Sequence, residues 1–202
     1  MSLSTSQAAA ELGVSARQVR RAAASGRIVA AKAGAAHAFS QRQIQSLERT
    51  KHRGRDWSIA TQQAALDLLT MGSTSELTSS ERSRLKQRLR SAEVGSLAGQ
   101  ILQGRVSLRR AANDASKQKL RAQLSIELGL SARGGLAVLV VENAARAARN
   151  LRLGLSDSGD IAVVEGQDVH RRVLEALALY AHGDARESSA AAAWVVAAQK
   201  AV

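Results

Sequence analysis

Arg17, Gln18, Arg20 and Arg21 stand close together in the run ARQVRRAAA over residues 16–24, and their chemistry is that of nucleic-acid recognition. A guanidinium pairs with phosphate and, through two N–H groups at once, with a guanine edge; a carboxamide pairs with adenine. On a helix, positions 17, 20, 21 and 24 share one face, and Val19, Ala22 and Ala23 turn the other way. The run therefore predicts a short helix with a basic outer face and a small apolar inner one. What such a helix does depends on the elements that present it.

Those elements are legible in the first fifty residues. Ser4 or Thr5 can cap a first helix, since a hydroxyl accepts one of the unpaired N–H groups of a first turn. Ala8, Ala9 and Leu12 give that helix its apolar stripe, and Gly13 can take the left-handed conformation that ends it. Ser15 caps the second helix, and Gly26 closes it. Arg27 to Lys32 and His37 to Phe39 read as two strands around the turn Ala33-Gly34-Ala35-Ala36. Ser40 caps a third helix with Ile44 and Leu47 inward. The order predicts a winged helix-turn-helix over residues 1–50, whose second helix lies in a major groove. Ser15, Arg17, Gln18, Arg20 and Arg21 on that helix are its candidate DNA contacts, with Arg27, Lys32 and His37 from the hairpin. Arg17 and Gln18, nearest the helix start, are expected to meet bases, and Arg20 and Arg21 phosphates.

The turn A-x-x-L-G-V-S-x-x-x-V-R (residues 9–20) followed by G-R-I-V-A (26–30) resembles the winged domains of excisionases and MerR-type regulators. Those domains usually carry basic residues where Ala35 and Ala36 stand, and often an aromatic near Ala38. The wing here is stripped of charge, which leaves Lys32 and His37 as its candidate backbone contacts.

Charge follows the same division. The net charge is +12, from 29 basic and 17 acidic residues. Residues 1–56 hold ten basic and three acidic residues (+7), and the remaining 146 hold 19 and 14 (+5). A concentrated positive field gives salt-dependent, sequence-independent affinity for a polyanion. No basic amphipathic helix with bulky apolar anchors points to a membrane surface instead. Cysteine is absent, which excludes disulfides and cysteine metal sites. No apolar run approaches the roughly 20 residues of a membrane span, and no signal-peptide pattern opens the chain. These features lead to the expectation of a cytoplasmic protein that binds double-stranded DNA and no membrane.

Residues 51–56, a basic linker, include Arg53-Gly54-Arg55. These two arginines either enter a narrow minor groove, as basic arms do, or lie on phosphates or in solvent. Residues 57–103 read as a helical segment. One helix runs from Ser58 or Thr61 to Met71, with Ala64, Ala65, Leu68 and Leu69 inward. A second, ERSRLKQRLRSA over 81–92, turns Leu85 and Leu89 inward and five basic residues outward, either a second DNA surface or a solvated face. A short helix over 96–103 completes it.

Residues 104–202 read as an α+β domain: a strand at 105–112, a helix at 115–124, a buried strand at 136–141 and a helix at 142–153. A turn at Asp157-Ser158-Gly159-Asp160, a strand at 161–165 and two helices (168–182 and 184–199) follow. Together they predict a small β-sheet covered on one face by helices. The alanine-rich face of the last helix (Ala190, Ala191, Ala193, Trp194, Ala197) reads as core in preference to a partner-facing surface. The histidines, His37, His52, His170 and His182, are widely separated, and no catalytic or phosphate-loop motif occurs. The expectation is a non-enzyme with no cofactor and no metal.

The full order of motifs resembles a known family. The winged helix-turn-helix, R-G-R-x-[WY]-S, S-E-R-S-R-L-K-Q-R-L-R, V-S-L-R-R-A, L-A-V-L-V-V, S-D-S-G-D-I-A-V-V and L-Y-A-H-G-D-A-R-E-S-S-A-A-A follow in that order. The chain is similar to the actinobacterial branch of AbiEi-type antitoxins, the DNA-binding partners of nucleotidyltransferase toxins. The most distinctive positions are Gly183, Asp184, Arg186 and Ala190. The resemblance implies a DNA-binding antitoxin that represses its own toxin–antitoxin promoter by binding an operator and counteracts a nucleotidyltransferase toxin. The alternative is a stand-alone winged-helix repressor whose C-terminal domain dimerises or senses a ligand. An excisionase-like architectural protein is a third class, disfavoured by the 150 residues beyond the wing.

Overall fold

The structure, a computed structural model, describes residues 2–25, 28–33, 36–52, 54–113, 115, 120, 135–156 and 158–202, with the backbone alone for 32, 33 and 36. The chain is α+β.

Its first part comprises β1 (Ser2–Ser4), α1 (Thr5–Leu12), α2 (Ala16–Ala24), β2 (Ala31–Ala33), β3 (Ala36–Ser40) and α3 (Gln41–Arg49). β3 is the middle strand of an antiparallel sheet, pairing Leu3 with Phe39 on one side and Lys32 with His37 on the other. Ser4 caps α1: its Oγ accepts from the Gln7 N–H at 3.3 Å, and the Gln7 carboxamide accepts from the Ser4 N–H at 2.9 Å. At the other end Gly13 adopts φ 63°. Its N–H and that of Val14 turn back to the carbonyls of Ala10 and Ala9 at 3.2 and 3.0 Å, a Schellman closure that needs a residue without a Cβ penalty. Ala8, Val19, Phe39 and Ile44 are wholly buried together. Burying each of the larger three contributes about 1.5–3 kcal/mol.

The sequence reading departs from the structure here in two places. β1 was not expected, because three residues of Ser-Leu-Ser carry no period. The strand expected over Arg27 to Lys32 is only Ala31–Ala33. Ile28 is instead buried, and its N–H donates to the Ala22 carbonyl of α2 at 3.3 Å, so it cannot join the ladder. Gly34 and Ala35 of the expected wing turn lie outside the described residues.

The second part is built on α4 (Ile59–Met71), α5 (Ser79–Ser91), α6 (Val94–Leu102), β4 (Val106–Ala111), β5 (Ala137–Val141), α7 (Ala144–Asn150), β6 (Leu153–Leu155), β7 (Ile161–Glu165), α8 (Arg171–His182) and α9 (Ala185–Ala201). A 3₁₀ turn, Asp168–His170, leads into α8. Residues Ala64, Ala65, Leu68, Leu69, Leu85 and Leu89 point inward as their spacing required, and they share one core with Leu174, Leu177 and Val195 of the C-terminal helices.

The sheet order is β5-β7-β4-β6, with β5 parallel to β7 and the other pairs antiparallel. β7 is buried on both sides, and its alternation explains why. Ala162 and Val164 face α8, while Ile161 and Val163 pack with Ala148 of α7. The sheet is therefore covered on both faces, not on one as expected. The helix expected over 142–153 ends at Asn150, because Arg152 takes a left-handed φ of 52° and Leu153–Leu155 joins β4 as an edge strand. The helix expected at 115–124 falls largely outside the described residues, as does Asp157.

Only part of the face of α9 expected to be core is buried: Ala191 is, Trp194 packs half-buried against the core, and Ala190 is half-buried. Glu187, Ser188, Ala191, Val195 and Gln199 are buried, whereas Ala193 and Ala197 are exposed. From Ser188 the buried set repeats at three and four residues, and the expected set occupies an overlapping arc turned part-way round the helix.

Two glycines seat the first part against the second. Gly95 and Gly99, one turn apart on α6, leave room for main chain. A Cβ on Gly95 would fall on the Arg49 carbonyl oxygen, and one on Gly99 on that of Thr50. α3 also packs on α8. Across this seam, Arg42 donates to the Gly159 carbonyl at 2.9 Å and Arg49 to the Gly183 carbonyl at 2.8 Å.

Candidate nucleic-acid interface

The site is built from α2 upward. Ser15 caps α2 by a reciprocal pair: its Oγ accepts from the Gln18 N–H at 3.2 Å, and the Gln18 Oε1 accepts from the Ser15 N–H at 2.9 Å. The Ser15 hydroxyl donates to the same oxygen at 3.0 Å. Gln18, expected to meet bases, thus commits its acceptor oxygen to the helix start and keeps only the two N–H donors of Nε2 for outside contacts. Val19 anchors the inner face at 1% exposure. Arg17, Arg20, Arg21 and Ala24 are exposed, as one continuous outer face.

Within that face the arginines differ. Arg20 folds back, with Nε donating to the Ala16 carbonyl at 3.3 Å, which leaves its terminal nitrogens outward. Arg17 and Arg21 have no hydrogen-bond or ion-pair partner among the described residues. Three guanidiniums on one face of a nine-residue helix repel one another, and a polyanion relieves that repulsion.

The hairpin contributes less. Lys32 pairs with His37 across β2 and β3, so the two occupy one register position. The His37 ring sits 6.3 Å from Phe39, and its Nδ1 is buried without a partner among the described residues. That leaves Nε2 as the polar atom of His37 for a contact outside the fold. Arg27 and Arg53 lie outside the described residues. Arg55 is exposed, and its carbonyl accepts from Gln100 Nε2 at 3.3 Å.

The connecting stretch is laid on the protein rather than looped away from it. Lys51 Nζ donates to the Leu12 carbonyl at the end of α1, at 3.2 Å, and the Trp57 N–H donates to Gln100 Oε1 at 2.7 Å. Neither contact carries a sequence signal, because both link residues 39 or more positions apart.

The basic face of α5 is partly spent inside the fold. Arg82 donates to the Leu77 carbonyl at 3.3 Å and Lys86 to those of Gly72 and Val202 at 2.9 and 3.1 Å. Arg88 stacks 4.9 Å above the Trp57 ring, a cation–π contact.

The histidines do not converge. His170 is buried, with Nε2 2.8 Å from Asp67 Oδ1, and Asp67 also accepts from Gln63 and Thr74 at 3.2 and 3.1 Å. His182 ends α8 at the seam. Burial, with Arg42 and Arg49 adding to it, pushes its imidazole down to about 4. Among the described residues no group of three or more His, Asp or Glu could hold a metal ion. No helix of the described residues is long and apolar enough to cross a membrane.

The distinctive G-D-A-R-E stretch has a structural use. Asp184 caps α9, accepting from the Glu187 N–H at 2.8 Å, and the buried Glu187 carboxylate accepts from the N–H groups of Asp184 and Leu136 at 3.0 and 3.1 Å. One carboxylate thus fixes the start of α9 to the approach to β5. No family model, no curated protein and no solved structure matches the chain.

Proposed function

We propose that the chain binds an operator in double-stranded DNA through residues 1–50, folded as a winged helix-turn-helix, and acts as the antitoxin of a toxin–antitoxin pair. In this reading α2 lies in the major groove. Arg17, next to the helix start, takes a guanine edge, and Arg20 and Arg21 take phosphates. Gln18 meets the DNA only as a donor, from Nε2. Lys32 and His37 contact backbone from the hairpin. Bound at its own promoter, the protein represses the pair; through residues 104–202 it counteracts a nucleotidyltransferase toxin.

One observation carries the DNA half: Arg17, Arg20 and Arg21 form an outward face on a helix that starts at a tight Gly13 turn, without an acidic partner among the described residues. The excess of basic residues in 1–56 supports it. The antitoxin half draws on the likeness in motif order, from Arg53-Gly54-Arg55 to Gly183-Asp184-Ala185-Arg186.

Fluorescence anisotropy on duplexes from upstream of the gene tests the DNA half. Sequence-selective binding is expected, and Arg17→Ala should flatten the preference at one base pair by about 1–3 kcal/mol. Equal weakening on every duplex assigns Arg17 to phosphate, and no preference in the parent protein refutes operator binding. Co-expression with a nucleotidyltransferase encoded beside it tests the second half: growth should recover. Absence of rescue while operator binding persists refutes the antitoxin role.

A further inference from the structure

The face of the four-stranded sheet turned away from α8 carries a cleft of about 450 Å³. Arg109 of β4, Arg149 of α7 and Arg152 line it above a floor of Ala145, Ala148 and Leu153. None of the three arginines has an acidic partner among the described residues. Each is nonetheless placed by the fold. Arg109 is half-buried, and its Nε donates to Ser107 Oγ at 3.2 Å, which leaves both terminal nitrogens unbonded to the described residues. Arg149 comes from the last turn of α7. Arg152 enters through a left-handed backbone conformation at φ 52°, one that is strained for a non-glycine residue.

Three guanidiniums gathered at one cleft, without an acidic partner among the described residues, repel one another. An anion with several acceptor oxygens removes that repulsion and takes paired N–H donors in a planar fork. A phosphate monoester supplies three such oxygens and two charges, where a carboxylate supplies two oxygens and one charge. The apolar floor suits an organic remainder beside the phosphate, and the volume lies within the roughly 300–1,000 Å³ of small-molecule sites. We infer that this cleft binds a terminal phosphate ester of nucleotide size. α8, against which α3 packs, covers the opposite face of the sheet, so the cleft is a site separate from the α2 surface. Its ligand is either a free nucleotide or the phosphorylated end of a nucleic acid. The inference does not depend on the operator reading.

Calorimetric titration of the full chain with adenosine and guanosine monophosphates, adenosine and a 5′-phosphorylated oligonucleotide tests it. A monophosphate should bind and adenosine should not. Arg149→Gln, at an exposed helix position, and Arg152→Asn, which tolerates the left-handed backbone, should each weaken binding about tenfold or more, as expected for loss of one charged hydrogen bond. Arg17→Ala with Arg21→Ala should leave it unchanged. Competition by the 5′-phosphorylated oligonucleotide, but not by its unphosphorylated form, would assign the site to a nucleic-acid end; its absence would assign it to the free nucleotide. The proposal is overturned if no monophosphate binds, if both cleft variants bind as the parent does with unchanged melting temperatures, or if only the α2 variants lose binding.

Discussion

Acidification should weaken this fold through His182, and the size of the effect follows from its setting. The imidazole lies at the end of α8, facing Arg42 and Arg49 of α3, and burial and the two cations hold it near 4. An exposed histidine titrates near 6.5. The unfolded chain therefore takes up a proton that the folded chain refuses, and stability falls as the pH drops from about 6.5 toward 4. The gap of about 2.5 units, at about 1.36 kcal/mol each, gives roughly 3 kcal/mol lost by pH 4. Above pH 6.5 both states hold the imidazole neutral, and the term vanishes. Carboxylates also titrate in this window, so the comparison needs a partner lacking only this group. Urea denaturation of the parent and of His182→Gln at pH 7.0, 5.5 and 4.5 isolates it. The parent's advantage over the variant should shrink by roughly 2.5 kcal/mol across that range. Parallel stability curves for the two proteins would show that His182 is accessible to protons in the folded state, and the reasoning about the seam would fail.

Other perturbations probe separate contacts. Gly99→Ala should lower stability by about 1–3 kcal/mol because its Cβ meets the Thr50 carbonyl, although alanine is the better helix former by about 1 kcal/mol; a raised melting temperature would show that the seam is open. Glu187→Gln keeps the shape but places an amide where two N–H groups need acceptors, with an expected cost of about 1–3 kcal/mol in chemical denaturation. Asp67→Ala strands the buried His170 and Thr74 groups and should cost about 2–4 kcal/mol at pH 7; a loss below 0.5 kcal/mol, about the scatter of a neutral surface change, would refute that network.

Local punctuation and period determined much of this protein. Ser4, Ser15 and Ser58 cap helices because a hydroxyl meets orphan N–H groups wherever it stands, and Gly13 ends α1 because glycine takes the left-handed turn without a Cβ penalty. The apolar spacing of Val19, Ile44, Leu85 and Leu89 sent those side chains inward, and the outward face of Arg17, Arg20 and Arg21 was readable for the same reason. Long-range partnership was not readable. Nothing local in Leu153–Leu155 marks it as a strand; the free edge of β4 makes it one. Gly99 reads as an ordinary helix residue and Gly95 as lying just before the helix expected at 96–103, until the main chain of Arg49 and Thr50 lies against them. Arg109, Arg149 and Arg152 are scattered basic residues in sequence, and only the turn after α7 and the pairing of β4 with β6 gather them around one cleft. Caps and periods depend on neighbours within four residues, which the sequence places by itself; a shared core, a seam or a cleft depends on partners that only folding brings together.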